Sequence, residues 1–136
     1  MYTRLCYVSQ ATKPDHLMRK DLMDIIDEAV EFNEQHHIFG VLYYGHGYFF
    51  QCLEGDQDQV EHLFYHRIRL DRRHKNTKLL QCIRISQIYF DSWNMKYAPQ
   101  AKALMDFFKD SEKPIFNPYL INDEQLPKFL EALYLD

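Results

Sequence analysis

Tyr7 and Gln51 are polar side chains set in the middle of apolar, strand-like runs, Leu5-Cys6-Tyr7-Val8 and Phe49-Phe50-Gln51-Cys52-Leu53. Side chains alternate faces along a strand, so Phe49, Gln51 and Leu53 share one face, and Tyr48, Phe50 and Cys52 the other. Leu5 and Tyr7 likewise share a face. If both sets lie under the same helical layer, Tyr7 and Gln51 are buried side by side. A buried glutamine must satisfy one carbonyl and two N–H donors, and a phenol supplies one partner. A phenol can release an electron and a proton, and an amide has donor and acceptor ends that exchange on rotation or tautomerisation. On pattern alone, this pair is either part of a functional site or two core residues that only satisfy each other.

Further polar residues interrupt apolar helical stripes. Asn33 shares a stripe with Ile26, Ala29 and Val30 at a helix end, where Asn is also a common C-terminal residue. On a second helix, Arg67, Asp71 and His74 continue the stripe begun by Val60 and Phe64, a position that solvated helix ends also occupy. Together these residues point into one gap between two helices, with apolar walls and convergent amide and charged groups, the makeup of a planar-cofactor site. His62 and His66 have a metal-compatible spacing but lack the Glu after the first histidine that the metalloprotease pattern requires, and they lie opposite the apolar stripe. They read as solvated, and no metal site is expected.

The elements that must position these residues follow from periodicity. Thr3 to Ser9 reads as a strand and Leu17 to Asn33 as a helix, with Leu22, Ile26, Ala29 and Val30 on one stripe. Ile38 to Tyr44 and Tyr48 to Glu54 are strands joined by a Gly45-His46-Gly47 hairpin. Asp56 is the expected N-cap of a helix burying Val60, Leu63, Phe64 and Ile68. A strand over about Lys78 to Ile88 comes next. The order β-α-β-β-α-β defines an α+β, ferredoxin-like fold with both helices on one face and the first and third strands adjacent in the middle. An additional edge strand and two short C-terminal helices, Ala101 to Lys109 and Asp123 to Tyr134, are expected beyond it. Residues 1–98 read as the main domain and 99–136 as a helical extension packing on the sheet.

The 136 residues suffice for one domain of ordinary size, and 46% hydrophobic with 26% charged residues is a globular composition. A formal charge of −4 argues against direct nucleic-acid binding. No apolar leader or bilayer-length run is present, and Cys6, Cys52 and Cys82 read as reduced structural thiols, so a cytoplasmic location without membrane association is expected.

Five segments in order resemble the BLUF family of blue-light receptors. These are Arg4-Leu5-Cys6-Tyr7-Val8-Ser9, Asn33 with Ile38-Phe39-Gly40-Val41-Leu42-Tyr43-Tyr44, Phe49-Phe50-Gln51-Cys52-Leu53-Glu54-Gly55, Arg67-Ile68-Arg69-Leu70-Asp71-Arg72-Arg73-His74, and Phe90-Asp91-Ser92-Trp93-Asn94-Met95. The resemblance spans residues 2 to 98. It implies a non-covalent flavin between the two helices, FAD being usual, with FMN or riboflavin as alternatives. Tyr7 and Gln51 would be the photoactive pair, and Asn33 would bond the ring edge. Ile25, Leu42 and Ile68 would be apolar contacts, and Arg67, Asp71 and His74 would lie near the ribityl chain. Trp93 and Met95 would carry signal output, with Met95 also against the flavin. The chain has Phe32-Asn33 where the family often has two asparagines, Phe39 where a Thr is usual, and Asn94 where a Ser is usual. Its second helix has one residue more than expected between Val60 and Arg67.

The resemblance implies a light sensor and not an enzyme. The expected partner is a separate downstream protein, a transcriptional regulator being one option, and a homo-oligomer is a further arrangement left open. Two rivals share the fold: an RRM-like nucleic-acid-binding module displaying Tyr44, Tyr48 and Phe50, and a small ferredoxin-like hydrolase.

Overall fold

The computed structural model describes residues 1–135. Five strands among them form one sheet in the order β4-β1-β3-β2-β5. β1 (Tyr2–Ala11) lies between β3 (Tyr48–Gly55) and β4 (His74–Ile85), antiparallel to both. β2 (Phe39–Gly45) pairs antiparallel with β3, and β5 (Trp93–Tyr97) closes the far edge parallel to β2. The hairpin between β2 and β3 turns on His46 (φ 51°) and Gly47 (φ 85°), a two-residue loop with both residues left-handed, which suits the twist of the strands it joins.

Each face of the sheet has its own core. One face carries α1 (Arg19–Gln35) and α2 (Gln57–Leu63) over Leu5, Tyr7, Leu42, Phe49, Leu53 and Trp93. The other carries α3 (Lys102–Met105), α4 (Leu126–Leu135) and their connecting turns over Cys6, Val8, Val41, Tyr43, Phe50 and Cys52. The ring of Phe129 meets that of Phe50 edge-on at 4.9 Å. Phe108, Phe116 and Phe129 are fully buried in this second layer, each contributing about 1.5–3 kcal/mol of burial, so the layer is part of the core and not a loose cover.

Several boundaries differ from the sequence expectation. β4 begins at His74, four residues before Lys78, because His74 and Lys75 pair with Ala11 and Gln10, while Asn76 (φ 55°) and Thr77 fall in a register shift against β1. The first C-terminal helix is one α-turn continued by a 3-10 turn over Asp106–Phe108. α1 starts at Arg19 after a separate 3-10 turn at Asp15–Leu17. Asp56 occupies the N-cap of α2 with extended backbone but makes no side-chain capping bond. Tyr44 lies on the α1–α2 face, not with Tyr48 and Phe50, and Phe50 is fully covered. The strand aromatics therefore offer no open stacking platform, which removes the basis of the RRM-like reading.

α2 does not end at Leu63. It passes into a π-helical turn over Phe64–Ile68, in which the Arg69 N–H donates to the Phe64 carbonyl at 2.8 Å, five residues back. A π turn lets a helix absorb one inserted residue without rotating the turns on its C-terminal side.

Candidate functional site

Tyr7 and Gln51 are direct partners across β1 and β3. The Gln51 Nε2 group donates to Tyr7 Oη at 2.6 Å, and Trp93 Nε1 donates to Gln51 Oε1 at 2.9 Å. The orientation of the amide is fixed by chemistry. An indole N–H is only a donor, so the oxygen of Gln51 must face Trp93 and its nitrogen Tyr7. All three side chains are buried, with 3% of Tyr7, 4% of Gln51 and 8% of Trp93 exposed. Burial pushes the Tyr7 phenol well above its usual value, the bond from Gln51 opposes this, and the Asp71 charge adds to the rise.

This trio forms the floor of a cavity of about 390 Å³ between α1 and the α2–π segment. Ile25, Ala29, Leu42, Phe49, Leu63 and Ile68 supply apolar wall. α1 itself fully buries only Asp21 and Asn33, and its apolar residues Leu22, Ile25, Ala29 and Phe32 are half-covered. Apolar side chains of a core helix are ordinarily covered, so this face is built to be completed by something lying in the cavity.

The polar rim comes from three elements. Arg73 holds Asp71 through Nε at 2.9 Å and Glu28 through Nη2 at 2.7 Å, tying the start of β4 to α1. Burial raises the Asp71 carboxyl, but the hydrogen bonds and charge of Arg73 outweigh it and hold the group below its usual range. His74 Nε2 lies 2.6 Å from the Ile68 carbonyl and must donate to it, and in the neutral ring Ser9 Oγ donates to Nδ1 at 2.7 Å. Arg67 lies 4.3 Å above the ring of Phe32, whose other neighbour, His36, stacks at 3.9 Å. Asn33 is 2% exposed and its Oδ1 has no hydrogen-bond partner in the protein.

Of the residues expected from sequence, Tyr7, Ile25, Asn33, Leu42, Gln51, Arg67, Ile68, Asp71 and His74 all line this cavity. Asp71 and His74 do so from the turn after the helix and from the first residue of β4, not from a helical stripe. Met95 does not line it; it is partly buried against the same core, opposite Leu42 on β5, and Trp93 takes the place facing Gln51. Val30, expected on the inward stripe of α1, is 45% exposed. Glu28, Phe32, Phe49, Leu63 and Arg73 are lining residues that sequence reasoning missed. Phe49 was accessible, since it shares the face of Gln51, whereas the roles of Glu28 and Arg73 depend on a pairing across 45 residues.

These features define a cavity fit for a planar ligand with polar edges, and comparison with known proteins supplies the class. The model of the family described as sensors of blue-light using FAD matches residues 2–96. Photoactivated adenylate cyclase subunit beta of Euglena gracilis is 37% identical over 99 residues, 72% of this chain and 11% of that protein. The chain thus spans about a tenth of the length of the curated relatives it matches. The structure of BlsA in its photo-activated state superposes with a TM-score of 0.86 at 42% identity, covering 100% of this chain and 96% of that one. The dark-state structure of BlrB, at 20% identity and a TM-score of 0.80, covers 98% and 96% and shares the fold. The chain belongs to the BLUF family. It is a flavin-binding blue-light sensor, and FAD is the flavin named for its family.

The residues present fit a flavin. The edge of an isoalloxazine carries an N–H between two carbonyls, and the orphaned acceptor Asn33 Oδ1 needs such a donor. The half-covered stripe of α1 needs a flat apolar body.

Proposed function

We propose that Tyr7 and Gln51 carry the light response and that Trp93 reads it. The observation behind this reading is the bridging position of Gln51, with its two amide ends committed to different partners. Asn33, Ile25, Leu42, Ile68, Arg67, Asp71, Arg73 and Glu28 would hold the flavin, and His74, its ring nitrogens committed to Ser9 and Ile68, would only wall it. Bound flavin supplies blue-light absorption and an electron-accepting ring.

The protein's part comes from donor and acceptor counting. Tyr7 would be the donor of an electron and a proton, with the amide bonded to Tyr7 Oη as the relay for the proton, and both would return to Tyr7 so that its hydroxyl is whole again in the switched state. If the amide rotates, Oε1 faces Tyr7 Oη and Nε2 faces Trp93 Nε1–H. The Tyr7 hydroxyl then donates to Gln51, while two N–H donors confront each other at Trp93. A buried donor left without an acceptor costs about 1–3 kcal/mol. A change of about 1.4 kcal/mol is tenfold in an equilibrium. The Trp93 contact is therefore the one that yields, and the switch at Gln51 becomes a displacement of β5.

No catalytic role is proposed for this chain. Its output would go to a partner protein, as expected for a sensor whose matched relatives carry other regions. The three free thiols, Cys6, Cys52 and Cys82, suit a reducing cytoplasmic compartment. Among the described residues, no helix is long and apolar enough to cross a membrane. The test is the pigment itself: the purified protein should be yellow, release flavin on heating or acidification, and show a small red shift under blue light that reverts in the dark. A folded protein that takes up no flavin contradicts the reading.

A further inference from the structure

Glu54 is a fully buried carboxylate on the sheet face away from the cavity, three residues beyond Gln51 on the same strand. Its two oxygens serve different parts of the chain. Oε1 accepts from the backbone N–H groups of Tyr89 at 2.8 Å and Phe90 at 3.2 Å, in the segment that leads directly into Trp93. Oε2 accepts from Arg4 Nε at 3.0 Å and from the Tyr134 hydroxyl of α4 at 3.4 Å. Arg4 Nη2 also donates to Tyr134 Oη at 3.0 Å. The rings of Tyr89 and Phe90 pack on that of Tyr134 at 5.6 and 4.8 Å.

We infer that Glu54 is the positioning residue that passes the state of the Gln51–Trp93 contact to the last helix, an inference that rests on the reading of the Tyr7–Gln51–Trp93 set above. The segment from Tyr89 to Trp93 is held at both ends, by Glu54 and by Gln51. Loss of the indole contact leaves the segment held by the backbone bond from Gly40 to Ser92 and by Glu54, the one side-chain anchor of the two, and a shift at Glu54 alters an acceptor shared with Tyr134. The coupling needs no contact between α4 and the cavity. It is a two-oxygen junction whose occupants belong to β1, the β4–β5 segment and α4.

The test is light-minus-dark hydrogen exchange of the flavin-loaded full chain at residues 126–135, in wild type, Glu54→Gln and Tyr134→Phe. Tyr134→Phe keeps the ring and removes only the hydroxyl at a partly exposed position, so it remains informative if Glu54→Gln does not fold. Tyr119→Phe is the control, since its hydroxyl donates to the Asn76 carbonyl elsewhere in the same layer. The expected result is a normal flavin red shift in every variant, with the exchange difference at 126–135 reduced about tenfold in Tyr134→Phe and Glu54→Gln and unchanged in Tyr119→Phe. A wild-type exchange difference retained in Tyr134→Phe overturns the inference. A red shift in wild type with no exchange difference at 126–135 overturns it too, while leaving the photochemical reading intact. Absence of the red shift in wild type overturns both.

Discussion

The amide of Gln51 donates to the hydroxyl of Tyr7 across 2.6 Å, between residues that are register partners on the two central strands. Because Trp93 donates to the other end of the same amide, Gln51 cannot reorient without changing both contacts. Their hydrogen bond is one of two in a three-residue chain with a defined direction, set in the floor of a cavity. Buried polar networks of this kind specify a single arrangement when every member is satisfied, and they switch when one member turns.

Asn33 separates binding from stability. Its Oδ1 is buried without a partner in the protein alone. Asn33→Leu should leave the flavin-free protein as stable or raise its stability, because the desolvation penalty of an unpaired amide is about 1–3 kcal/mol. The same change should weaken flavin binding about tenfold or more, for loss of a buried hydrogen bond. Thermal melting with and without FAD, together with a fluorescence titration, checks both signs. Equal destabilisation of the two forms would show that Asn33 is only structural.

Gly40 holds the β2–β5 edge in a conformation closed to other residues. Its φ is +151°, and an added Cβ would lie 1.9 Å from the Cys52 carbonyl oxygen. Gly40 also donates its N–H to the Ser92 carbonyl at 3.0 Å and pairs with Trp93. Gly40→Ala should cost about 2–4 kcal/mol and alter Trp93 fluorescence. Gly47→Ala, at φ +85° but in open space, should cost only about 1–2 kcal/mol. Denaturant midpoints compare the two. A Gly40 variant no weaker than the Gly47 variant would contradict this account.

The protonation of Tyr7 gives an alkaline signature. Its native value lies above the usual 10.0, so the proton is held more tightly in the folded than in the unfolded chain. That contribution is complete below pH 10 and is lost as pH rises from there toward the raised native value. The light-induced red shift should keep its amplitude through pH 10, while stability declines above it. Burial also raises Tyr44 and Tyr134, so Tyr7→Phe should lessen the alkaline decline without removing it. A red shift that fades around pH 10 in a still-folded protein would place the phenol in a far more open setting.

The adjacency of the first and third strands was legible from the β-α-β-β-α-β order, and the Tyr7–Gln51 pair from period-two alternation, which assigns faces without knowledge of tertiary detail. The facing of α1 was less so. Val30 fits a helical stripe in sequence, yet it is exposed, because the inward face of α1 is centred on Ile25, Ala29, Phe32 and Asn33, which line the cavity. The π turn that keeps Arg67 and Ile68 on the cavity was not legible, because it depends on backbone geometry that periodicity does not encode. The choice of Trp93 over Met95 could not be read either. Both alternate onto the same face of β5, and only the reach of the indole N–H to Gln51 separates them.

The central claim is tested most directly by the blue-light difference spectrum of wild type beside Tyr7→Phe and Gln51→Leu, each loaded with FAD and verified as folded. The account predicts a reversible red shift of the flavin band in wild type, and retained flavin with no such shift in either variant. A normal, reversible red shift in Tyr7→Phe or in Gln51→Leu would contradict it.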